Sequence, residues 1–91
     1  MNPSAVIELN CAVSLANAGQ PVESYQQLLK LEKALDAYQP YYAARAELEA
    51  QLGDQHSAIA SLKIAIKLSQ NNSERDFLIN KLERLNTPQP Q

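Results

Sequence analysis

The chain has 91 residues, 45% of them hydrophobic, with few aromatics, no Trp and only two Gly; that composition fits one small domain built from helices rather than strands. Its net charge of −2 is uneven, −4 over residues 1–54 and +2 over residues 55–91, and neither half is basic enough to grip a phosphate backbone, so direct nucleic-acid binding is not expected. A single Cys11 cannot form an internal disulfide, no apolar run approaches the ~20 residues of a membrane span, and the start lacks the basic-then-apolar order of a signal peptide, so a cytoplasmic protein is expected.

Asn2-Pro3 predicts the first helix start, Asn as cap and Pro at a position where a missing N–H costs nothing. Val6, Leu9, Val13 and Ala16 give that helix a narrow apolar stripe, and Gly19 ends it. Pro21 opens a second helix carrying Val22, Tyr25, Leu28 and Leu29. The segment from Leu31 to Gln39 reads equally as a helix tail or a loop, until Pro40 opens helix three. From Tyr41 to Ser69 two helical patterns meet at Gly53-Asp54, a helix-closing Gly followed by a capping Asp. Tyr41, Ala44, Leu48 and Leu52 line the first of these helices. Ala58, Leu62, Ala65 and Ile66, with a second line at Ile64 and Leu68, make the second apolar on two sides and so predict neighbours on two sides. Asn71-Asn72-Ser73 break the pattern, and Ser73 with Asp76 resembles a capping box. Helix five then runs to about Leu85 with Phe77, Leu78, Leu82 and Leu85 expected inward, and residues 87–91 form a polar tail after a helical domain of residues 1–86.

Gly19 and Gly53 lie 34 residues apart, the period of a tetratricopeptide (TPR) repeat. Sliding the chain by that period sets Ala12 on Ala46, Val22 on His56, Tyr25 on Ile59 and Leu28 on Leu62. The second copy carries Gly53, Ala58, Leu62 and Ala65 at TPR spacing; the first is degenerate, with Ser24 facing Ala58 and Leu31 facing Ala65. The expected fold is all-α: two TPR-like antiparallel helical hairpins and a C-terminal capping helix, stacked as a right-handed superhelix.

Catalytic signatures do not assemble. His56 is the single histidine, and Asp54 and Ser57 beside it occupy helical positions that do not face it. One His and one Cys cannot supply a usual zinc ligand set, and no glycine-rich phosphate loop, paired catalytic carboxylates or nucleophile elbow is present. No enzyme activity, cofactor or metal is expected. Cys11 reads as a small packing side chain.

Three strings carry a more specific signal. They are Asn2-Pro3-Ser4-Ala5-Val6-Ile7-Glu8-Leu9-Asn10-Cys11-Ala12-Val13, then Tyr42-Ala43-Ala44-Arg45-Ala46-Glu47-Leu48 with Leu52-Gly53, and then Asn71-Asn72-Ser73-Glu74-Arg75-Asp76-Phe77-Leu78-Ile79-Asn80-Lys81-Leu82. In this order and at these intervals the chain resembles the C-terminal TPR-like extension of a group of bacterial extracytoplasmic-function (ECF) RNA polymerase sigma factors. The likeness covers nearly the whole chain. Cys11 stands where the family pattern has an Arg, so no role of that Arg carries over.

The resemblance implies a protein-interaction module that modulates transcription initiation through contacts with sigma-factor domains or polymerase. Asn10, Tyr38, Tyr41, Tyr42 and Arg45 are the candidate contact residues, grouped in a groove of helices one and three. Each has a structural reading beside the functional one. Asn10 would satisfy a buried carbonyl, Arg45 would pair with Glu49 four residues on, and the tyrosines would cover the core with their hydroxyls left in water. Two other partners fit the residues: a peptide from an unrelated protein, held by a free-standing TPR-like adaptor, or a second copy of the chain in a homodimer.

Overall fold

The computed structural model describes residues 3–86, which form five α-helices and, among those residues, no strand. They are α1 (Pro3–Asn17), α2 (Pro21–Lys30), α3 (Gln39–Gln51), α4 (Gln55–Leu68) and α5 (Asn72–Asn86). The expected Asn2 cap and the tail at 87–91 lie outside the described residues. None of these helices is long and apolar enough to cross a membrane.

The two glycine turns are built alike. Gly19 and Gly53 sit at φ +88° and +86°, the left-handed region that costs other residues a clash at Cβ. In the first turn the Gln20 amide reaches back to the Leu15 carbonyl at 2.9 Å and the Gly19 amide to Ala16 at 3.1 Å. In the second, Asp54 reaches Glu49 at 2.8 Å and Gly53 reaches Ala50 at 3.2 Å. Both are Schellman closures, which return orphan helix carbonyls to hydrogen bonds. Asp54 then caps α4 as expected, its Oδ1 accepting the Ser57 amide at 3.1 Å, and hydrogen bonding from the Ser57 side chain and then its amide lowers the carboxyl's pKa.

Other sequence expectations are corrected. The α5 cap is Asn71, whose Oδ1 accepts the Glu74 amide at 2.7 Å, and not the Ser73–Asp76 box. Residues 31–37 are turns, yet Leu31 and Leu35 from that stretch are buried in the core. Val22, Leu29, Leu52, Ile64 and Phe77 are exposed, because each core-facing stripe is narrower than its run of apolar letters. Cys11 is exposed as well, and the small residue that packs inward from that turn of α1 is Ala12.

The core joins Ala5, Leu9 and Ala12 of α1 to Leu28, Leu31, Leu35, Tyr41, Tyr42, Ala46 and Leu48, and continues through Leu62 and Ala65 to Leu78. Every consecutive helix pair packs together, α3 against α4 most extensively, and α1 also touches α3. The molecule measures 41 × 30 × 18 Å, so its thin axis is about two helix diameters deep. Leu78 is the one buried residue of α5, which leaves that helix the least embedded of the five.

Candidate functional site

Arg45, together with Tyr25 and Ser61, converges on a residue the sequence offered only as an ion-pair partner. Glu49 is 1% exposed, at the meeting point of α2, α3 and α4. A carboxylate taken out of water requires donors on both oxygens. Its Oε2 accepts the Tyr25 hydroxyl at 2.5 Å and Arg45 Nε at 3.2 Å, and its Oε1 accepts the Ser61 hydroxyl at 2.6 Å. Arg45 also donates to Glu32 Oε2 at 3.3 Å and to the Tyr41 hydroxyl at 3.4 Å, with its guanidinium 5.9 Å from the Tyr41 ring centre. Three helices are thus tied through one buried charge.

Tyr41 is fully buried, and its hydroxyl donates to the Leu28 carbonyl at 2.7 Å near the end of α2. Tyr42 is also buried, packed edge-on against Tyr41 with ring centres 5.0 Å apart, its hydroxyl 3.3 Å from Asp36 Oδ1. The Tyr41 hydroxyl is held inside the protein and not left wet, whereas that of Tyr42 reaches the exposed Asp36 at the surface. Burial raises the pKa of both phenols, and burial with the Glu49 carboxylate pushes Tyr25 up to about 12. Burial lowers the pKa of Arg45, but its hydrogen bonds to Tyr41 and Glu49 outweigh that and raise it further, so it stays a cation. No buried side-chain polar atom among the described residues lacks a partner. The cluster holds helices together; its charges are already spent on one another.

Asn10 is exposed on α1 and takes no part in this network. Tyr38 is half-buried and lines a separate depression of about 290 Å³ with Pro40, Leu68 and Asn71. The five candidates therefore do not form one groove of α1 and α3. Beside the network, Glu32, Tyr42, Arg45, Ser57, Ser61 and Ile64 border a hollow of about 160 Å³.

The larger open feature lies between α3 and α5, which flank a groove of about 330 Å³. Ala43, Ala46 and Ala50 make a low wall on α3, and Leu62 contributes from α4. Phe77, Leu78, Lys81, Arg84 and Leu85 make the opposite wall on α5. Phe77 is 61% exposed, capped by Lys81 Nζ at 5.1 Å from its ring centre. Lys81 also bridges the groove to Glu47 at 3.2 Å. Sequence reading missed this groove because it assigned Phe77 to the core; the signal for it was the line of small residues at 43, 46 and 50, which keeps one wall low.

Comparison with known proteins returns no relative: no family model, no curated protein and no solved structure matches the chain.

Proposed function

We propose that the chain is a TPR-like protein-interaction module of the kind appended to ECF sigma factors, and that it modulates transcription initiation by docking on sigma-factor domains or RNA polymerase. The observation that supports the repeat reading is that positions 34 residues apart are alike in burial along most of α2 and α4, although α1 and α3 differ at Ile7 and Tyr41 and at Ser14 and Leu48. Ala12 and Ala46, Ser24 and Ala58, Leu28 and Leu62, and Leu31 and Ala65 are all buried. Tyr25 and Ile59 are both half-buried, Val22 and His56 both exposed, and the two Gly turns close with the same pair of hydrogen bonds. The degenerate first copy keeps the pattern by chemistry: the Ser24 hydroxyl, buried where the second copy has Ala58, donates to the Ala12 carbonyl at 2.5 Å.

Two hairpins, α1–α2 and α3–α4, with α5 laid on the second, are the arrangement expected of a short solenoid with a right-handed superhelical trend. The family-like strings support the sigma-factor reading. In the middle string Arg45 is the organiser of the buried network, and in the last string Asn71 is the α5 cap and Phe77 the exposed groove residue. Docking would act by favouring one of two arrangements of the sigma factor. Function rests on surface recognition, since the buried polar groups are internally satisfied.

The test is cross-linking of the purified chain in a bacterial lysate, followed by peptide identification. Cross-links to polymerase subunits or sigma-factor domains are the expected result. Capture of an unrelated protein with polymerase absent would replace this reading with that of a free-standing adaptor. In a sigma factor that carries the module, its deletion is expected to change promoter-dependent transcription; an unchanged transcript level would refute the regulatory role.

A further inference from the structure

The hairpins α1–α2 and α3–α4 meet where α2 packs on α3, the least extensive contact between consecutive helices. Residues 31–37, which connect them, are turns, and such segments can absorb a change of backbone angle. Leu28, Leu31 and Leu35 bury apolar surface at this junction, but burial is non-directional and selects no single angle. Hydrogen bonds do, since they weaken steeply as they bend. Three side-chain bonds cross the junction, all at one face of α3 in four-residue steps. The Tyr41 hydroxyl donates to the Leu28 carbonyl at 2.7 Å, and Arg45 donates to Glu32 Oε2 in the connector at 3.3 Å. Glu49 Oε2 accepts the Tyr25 hydroxyl at 2.5 Å.

We propose that the Tyr41–Arg45–Glu49 face of α3 is an orientation lock, fixing one angle between the two hairpins that apolar packing alone leaves free. The bonds are spread over two helical turns, about 12 Å along α3, so they fix the tilt of α2 as well as its slide. Ser61 of α4 holds the other Glu49 oxygen at 2.6 Å, so the second hairpin aims the carboxylate at the first. Replacing a buried charged cluster by apolar side chains of similar size often leaves stability unchanged or higher. Loss of the whole cluster is therefore expected to remove the angle and keep the fold. Because α1 also touches α3, that angle shapes the surface the two helices share. The lock depends on neither the sigma-factor nor the repeat reading, so its test stands apart from theirs.

The experiment is double electron–electron resonance between spin labels on the exposed Cys11 of α1 and on Lys67→Cys of α4. The native sequence should give one narrow distance peak. Tyr25→Phe, Tyr41→Phe, Arg45→Met, Glu49→Leu and Ser61→Ala together make the apolar variant. In it Glu32 returns to water and the Leu28 carbonyl keeps the Leu31 amide at 3.0 Å. That variant is expected to lose the narrow peak while its urea midpoint stays the same or rises. A second variant, Tyr25→Phe with Tyr41→Phe, keeps Glu49 paired with Arg45 and Ser61 and should broaden the peak as well. A control pair within the second hairpin, Gln51→Cys and Lys67→Cys with Cys11→Ser, should stay narrow throughout. A broad native peak, or a narrow one in both variants, overturns the proposal. Broadening of the control pair, or a sharply lower urea midpoint in the apolar variant, also overturns it, since the cluster would then supply general stability and not orientation.

Discussion

Glu49 is the residue on which the most contacts depend. Removing it takes away the buried partner of Arg45 and leaves the Tyr25 and Ser61 hydroxyls without their acceptor. Glu49→Ala is expected to cost about 3 kcal/mol, the low end for breaking a buried pair, because Arg45 keeps its contact with Glu32 and some water. Glu49→Gln retains a carbonyl acceptor and should cost less; urea unfolding of the two variants checks the order. The phenols add a pH dependence. Tyr25 has a folded-state pKa of about 12 against an ordinary value of 10.0, so the stability it confers is fully present below pH 10 and is lost as pH rises through 12. Tyr41 and Tyr42, also raised, act in the same sense. Tyr25→Phe should therefore flatten part of the decline in urea midpoint over that alkaline window; an unchanged slope would show that Tyr25 does not ionise as its surroundings require. The Arg45–Glu49 pair was legible from its four-residue spacing. Tyr25 and Ser61 were not, because their bonds to Glu49 join helices whose rotation about their own axes no local pattern specifies.

Helix boundaries were the most readable level, and the reason is backbone chemistry. Gly19, Pro21, Pro40 and Gly53-Asp54 each restrict φ or supply a cap, and each punctuates a helix where expected. Gly53→Ala tests the turn directly. A Cβ there would meet nothing within 4 Å, so its cost is the left-handed backbone alone, roughly 1 kcal/mol, visible as a lowered thermal midpoint. Inward faces were less readable. Apolar letters at 22, 29, 52, 64 and 77 outnumber the positions the neighbouring helices can cover, and their exposure is a property of the packing rather than of the stripe. Packing also ranks the helices in stability. With Leu78 as its only buried side chain, α5 is expected to exchange its amide hydrogens well before α3 and α4, which share the most extensive contact. Uniform protection across all five helices would contradict that ranking.

At the scale of the molecule the fold class was legible and the open surface was not. The helix-favouring composition brought out the all-α class, whereas the groove depends on how α5 lies over α4, which no internal period encodes. How α5 is attached has a further consequence. Along its length it rests on α4, and at its far end the Gln55 side-chain amide donates to the Leu85 carbonyl. Across the groove Lys81 pairs with Glu47, their side chains 33% and 60% accessible, and a bridge so wet contributes little. The helix is thus held along its α4 edge, and its α3 edge is tied only by this weak bridge. The width of the groove is therefore expected to respond to ionic strength. A pair of dyes on α3 and α5 should report a wider, broader distance distribution in high salt, and Lys81→Met should show the same widening in low salt.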